Sequence, residues 1–127
     1  MKATLISMLA VAALAAVTCV CSLKMIEKAT REVDGMRTEV LELIESGAFE
    51  EAHGRLRQMV EVWRKYEKTL AVMAPHESLH DITWLMIEGN ANLEAGDLDD
   101  LNRSMALLGE SIRHLYEEER LHLSNVL

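Results

Sequence analysis

The chain has 127 residues, half of them apolar, with few aromatics, a single proline and a formal net charge of −8. That length holds one small domain at most. The acidic balance excludes binding to nucleic acid through a basic stripe, and the wealth of Leu, Met, Ala, Glu and Arg favours helix. No stretch alternates apolar and polar residues between turn signals, so no strand is expected.

The first element is MKATLISMLAVAALAAVTCVCSLK, residues 1–24, which carries no charge from Ala3 to Leu23. Those 21 residues between Lys2 and Lys24 are enough for one helix to cross a bilayer. A cleaved signal peptide is the rival reading, with Lys2 as its basic start. The length favours an uncleaved anchor, since a signal core is usually shorter and the small-x-small sites lie inside the run. Neither cysteine follows a lipoprotein cleavage pattern. Cys19 and Cys21 point nearly opposite ways on a helix, so they cannot pair with each other. They read as two small apolar residues in the membrane, and no cysteine follows them. A short Met-Lys start favours a domain outside the cell, whereas Lys24, Lys28 and Arg31 just after the anchor pull the other way. The run AVAALAA also offers small residues for close contact with another membrane helix.

After the anchor, apolar residues recur every three or four positions. Ile26, Ala29, Val33, Met36, Val40 and Leu43 form a first stripe, closed by Ser46-Gly47. Phe49, Ala52, Leu56, Met59, Trp63, Tyr66, Leu70 and Met73 form a second, ending before Pro75. A third helix begins near Pro75, carries Leu79, Ile82, Met86 and Leu93, and stops at Gly96. Asp97 then caps a fourth, with Asp100 three residues on and the stripe Leu98, Leu101, Met105, Leu108, Ile112, Leu115. Connections this short make neighbouring helices antiparallel. The expected fold is all-α: an N-terminal transmembrane helix (1–24) followed by a small antiparallel up-down helical bundle (25–127). The first helix should leave the membrane without a break. ITWLMI, residues 82–87, is apolar all round, which predicts that the third helix is the most buried and that Trp63 and Trp84 both anchor the core.

HESLH, residues 76–80, matches the helical zinc-protease signature, in which two histidines one turn apart bind the metal and the glutamate activates a water. The pattern lacks a third ligand. The extended form of the motif needs Gly at 83 and His at 86, where this chain has Thr83 and Met86. Glu94 and Glu110 belong to no second motif, and there is no strand to hold a peptide substrate. Composition alone makes such a five-residue match common enough to arise by chance. A hairpin about Gly96-Asp97 would set His80 level with His114, and His76 level with Glu117 and Glu118. Stripe phasing, however, turns His114 outward. A metal site at His76 and His80, as a sensor or a zinc-dependent hydrolase, is therefore the alternative reading. The leading one assigns no catalytic residue and no cofactor. Ser104, Ser111 and Ser124 lack a nucleophile motif, EEER (117–120) reads as a solvated face, and no phosphate loop is present.

The order of motifs in the later part of the chain also carries a likeness. Trp63 is followed by HESL (76–79), then by Asp97 to Asn102, then by LLGESIRHLYEEERLHLSNVL (107–127). The chain resembles the domain-of-unknown-function 4363 family of membrane-anchored proteins from clostridia-like Firmicutes. The likeness is best in the tail, at Ile112, His114, Glu119, Leu121, Leu123, Asn125, Val126 and Leu127. The resemblance implies a membrane-tethered helical domain with no assigned activity, and it makes HESL part of a structural pattern. Taken together, the expectation is a non-enzymatic protein at the bacterial cell membrane. It would be single-pass, anchored in the lipid bilayer through residues 3–23, with its soluble domain extracytoplasmic. It would meet a protein partner or form a homo-oligomer there, and it would not bind nucleic acid.

Overall fold

A computed structural model describes residues 1–126. Among them four helices follow one another and no strand forms: α1 (Lys2–Glu45), α2 (Phe49–Leu70), α3 (His76–Ala95) and α4 (Leu98–Val126). This is the expected all-α architecture. The tail residue Leu127 lies outside the described residues.

The anchor and the first bundle helix are one helix of 44 residues, about 66 Å long at 1.5 Å per residue. Residues 2–18 are nearly all open, Cys19, Ser22 and Leu23 are half-covered, and the second half joins the bundle through Ile26, Ala29, Val33, Met36 and Val40. Each remaining helix presents its stripe inward. The core takes Ala52, Leu56, Met59, Trp63 and Leu70 from α2, then Leu79, Ile82, Met86 and Leu93 from α3. From α4 it takes Leu101, Met105, Leu108, Ile112 and Leu115. Burying a Leu, Ile or Met side chain of this kind stabilises by about 1.5–3 kcal/mol. Stripe ends are more open: Phe49 and Leu98 are exposed, and Leu43 and Met73 are half-buried, as is Tyr66 within its stripe.

The helices pack as a square. α1 lies against α2 and α4, α3 lies against the same two, and neither diagonal pair meets among the described residues. The turns that allow this are short and chemically distinct. Gly47 (φ 79°) and Gly96 (φ 72°) adopt the left-handed conformation that glycine takes without steric cost. Each lets the next N–H reach back over the helix end, Ala48 to the Leu43 carbonyl and Asp97 to the Asn92 carbonyl, both at 2.9 Å. Asp97 then accepts from the Asp100 N–H at 3.1 Å, capping α4 as the sequence predicts. The α2–α3 connection differs. Pro75 sits at the N-cap of α3, and Ala71–Ala74 form a turn whose four N–H groups all donate to carbonyls of the last turn of α2.

Two expectations need correction. The third helix is not buried all round: Trp84 is 67% exposed and Ile87 45%. Trp63 alone is the core tryptophan, at 1%. Ile82 and Met86 are buried one helical turn apart, and a residue midway between them must face away from the core.

Candidate functional site

HESLH occupies the first turns of α3. Glu77 lies in the first turn, where a carboxylate suits the helix dipole. Leu79 is the one member of the motif that enters the core. Ser78 faces α4 and donates to Glu118 Oε2 at 3.2 Å. His76 and His80 are both exposed. The α3–α4 hairpin forms as expected, and Glu118 does reach α3, but it meets Ser78 and not His76. His114 is outward on α4, 3.7 Å from Glu118 of its own helix. Among the described residues no group of three or more His, Cys, Asp or Glu side chains is placed to hold a metal ion. The structure thus leaves the two motif histidines without a third donor beside them.

Thr83, which departs from the zinc-site extension, has a structural task instead. The Trp63 indole N–H donates to Thr83 Oγ1 at 2.8 Å, across the α2–α3 interface. Thr83 in turn lies 2.8 Å from Glu67 Oε2 and 3.1 Å from the Leu79 carbonyl. Burying a tryptophan requires a partner for its single N–H, and this hydroxyl provides it.

The clefts of the bundle are open grooves between helices. One of about 290 Å³ lies between α1 and α4 and carries three arginines, each already paired: Arg31 with Glu27, Arg37 with Asp34, Arg113 with Glu110. Arg37 also donates to the Met105 carbonyl at 3.3 Å and lies over Gly109, where a Cβ would come within 2.7 Å of the guanidinium carbon. Each of these ion pairs lies within one helix, so the bond from Arg37 to the Met105 carbonyl is what ties α1 to α4, and the matched charges leave no free cation in the groove for an anionic ligand. Another cleft, of about 610 Å³, separates the α2–α3 turn from the last turns of α4. Glu119 stands at that end, at the position where the α4 stripe would place its next apolar residue. Burial pushes its carboxyl above the usual range, with Glu118 adding to the rise and His122 opposing it.

One largely apolar row lies open to solvent. His80, Trp84, Ile87 and Ala91 follow one another at helical spacing along the outer side of α3, and all four are exposed. Sequence reasoning missed this row because it placed Trp84 in the core. The phase of Trp84 relative to Ile82 and Met86 was the available signal.

The family model described as Domain of unknown function (DUF4363) matches residues 20–126. No curated protein and no solved structure matches the chain.

Proposed function

We propose, from the premise that the chain belongs to the DUF4363 family, that it is a membrane-tethered interaction module. In this reading it recognises a protein partner, or a second copy of itself, without catalysing a reaction. The observation that carries the reading is the outward row of α3. A tryptophan two-thirds exposed beside Ile87 and Ala91 has no role in the monomer's packing. Tryptophan in such a setting is the residue type that most often anchors an interface. The absence of a catalytic set in the reading reflects the placement of His76 and His80, which face solvent singly.

The tether is α1. It is the one described helix long and apolar enough to cross a membrane, by length and composition. Its polar side chains suit lipid: Ser7 donates to the Ala3 carbonyl at 2.9 Å and Thr18 to the Leu14 carbonyl at 2.8 Å, so neither needs water. The bundle would then stand at the surface of a bacterial membrane, on the extracytoplasmic side.

The test is a photo-crosslinking residue placed at Trp84 in cells, with the same residue at the exposed Arg113 position as control. A discrete crosslinked band at position 84, absent at 113 and lost when Ile87 is changed to Glu, supports the reading. Equal, diffuse labelling from both positions removes its basis.

A further inference from the structure

The end of the bundle nearest the anchor differs in chemistry from the far end. The α2–α3 turn is free of charge from Thr69 to Pro75, in the sequence TLAVMAP. Val72 stands at its tip, 88% exposed, with Met73 and Ala74 half-buried beside it. Leu121 on the last turns of α4 is 57% exposed at the same end, across the cleft those two elements share. At the far end the turns themselves are charged, with Glu45, Glu50 and Glu51 at one and Asp97, Asp99 and Asp100 at the other, around the partly exposed Phe49 and Leu98.

Helix register fixes where this apolar end lies relative to α1. Arg55 pairs with Glu39, and the Tyr66 hydroxyl donates to Glu32, so α2 descends antiparallel to α1. Carried on at the same rise per residue, that register sets Val72 at about the level of Lys24, where the apolar run ends. On the other side, Arg37 bonds the Met105 carbonyl, and Glu27 and Thr30 share a cleft with Ile112 and Tyr116. The same extension sets Leu121–Asn125 beside Cys19–Leu23. Burial agrees: Cys19, Ser22 and Leu23 are half-covered, whereas nearly all of residues 1–18 are open.

Two more features single out this end. Every lysine beyond the apolar run lies close to it: Lys24 and Lys28 on α1, Lys65 and Lys68 on α2, all exposed. And the turn at Val72 leaves no backbone donor unsatisfied, since Ala71, Val72, Met73 and Ala74 each donate to a carbonyl of α2. A turn with satisfied backbone and bare apolar side chains enters a lipid interface without the penalty that exposed N–H groups carry there. Lysines a turn or two above it reach headgroup phosphates with their long stems.

We infer that the bundle is docked on the membrane as well as tethered to it: the Val72 turn and the Leu121 turn of α4 insert into the lipid interface, with the α1–α2 lysines at the headgroups. Four carboxylates lie on the α3–α4 side of the same end, Glu77 and Glu117 exposed and Glu118 and Glu119 half-buried along the cleft, so the α1–α2 corner leads. This rests on the reading of Ala3–Leu23 as a membrane span. It fixes the orientation of the domain, and so the height at which the Trp84 row meets a partner.

The experiment uses the full chain with Cys19→Ser and Cys21→Ser, reconstituted into vesicles of phosphatidylethanolamine and phosphatidylglycerol. A single environment-sensitive fluorophore is attached in turn at Val72→Cys, at Leu14→Cys within the span and at Glu50→Cys at the far end. Quenching is read from nitroxide-bearing lipids, shallow and deep. The expected result is shallow-lipid quenching at position 72 several-fold above that at 50, with deep-lipid quenching at 14. Quenching at 14 with position 72 as water-exposed as 50 overturns the docking and leaves the span standing. A blue-shifted label at 72 that lipid nitroxides do not quench means a protein covers the turn, and overturns the lipid assignment. A label at 14 that is itself in water removes the span and the docking together.

Discussion

Trp63 and Trp84 show what a single residue's environment decides. Both are large and apolar, both lie on helices, and one is core while the other is surface. Trp63 is buried because Thr83 receives its N–H, with Glu67 completing the bonding of that hydroxyl. Thr83→Val keeps the shape and removes the acceptor. It should destabilise the bundle by about 1–3 kcal/mol, the cost of leaving a buried donor unpaired, read as a lower urea midpoint with an unchanged slope. Tyr66 offers a second residue-scale check. Its hydrogen bond to Glu32, with burial and the carboxylate's charge adding, pushes its pKa up to about 12. A raised acid favours the protonated native form, so its contribution to stability is complete below the unfolded value near pH 10. That contribution is lost as pH rises from there through about 12. Ultraviolet titration of a Tyr116→Phe variant should show the remaining phenol ionising late, and Glu32→Gln should bring it down. Trp63 could be placed from the sequence, as could His114 on the outside. Trp84 was misplaced because ITWLMI is apolar on every face, although the phase of Trp84 against Ile82 and Met86 pointed it outward.

At the scale of the helix, glycine shows how position sets the sign of a substitution. Gly96 sits at a positive φ, and an alanine there meets the strain of the left-handed region. Gly96→Ala should cost about 1–2 kcal/mol. Gly35 and Gly54 lie inside α1 and α2 with open space where a Cβ would go. Their change to alanine should stabilise by about 0.5–1 kcal/mol each through helix propensity alone. Thermal melts of the three variants, side by side, test both signs at once. Gly89 is different again, because a Cβ there would come within 2.5 Å of the Met105 methyl, where α3 and α4 approach closely. The helices themselves were legible because all four stripes repeat at one period and each connection carries its own stop or start residue. The meaning of HESLH was not, since a five-letter pattern specifies two histidines on one helix but not the neighbour that supplies a third ligand. His76→Ala/His80→Ala should leave stability within about 0.5 kcal/mol, as surface changes do. Elemental analysis of the untagged full chain should find zinc well below one per chain. Near-stoichiometric zinc lost in the double variant would revive the metal reading.

For the whole molecule, the question is how far the anchor and the bundle depend on each other. The family match begins at residue 20, so it takes in the last residues of the apolar run as well as the bundle. The core begins at Ile26, and nothing before it is buried. A fragment starting at Met25 therefore keeps every core residue and should melt cooperatively, with far-ultraviolet dichroism still strongly helical. One part should not survive the cut unchanged. The last two turns of α4 extend beyond the core, and the register sets them beside Cys19–Leu23, which the fragment lacks. Without that neighbour, and without lipid, residues 121–126 have little to hold them helical in water, where short unsupported turns fray. Hydrogen exchange followed by mass spectrometry should show peptides from 121–126 exchanging faster in the fragment than in the full chain in vesicles. Peptides spanning Leu101–Leu115 should exchange alike in both. Equal protection of the tail in the two proteins would mean that α4 stands without residues 1–24, and that the bundle is joined to the apolar run through α1 alone.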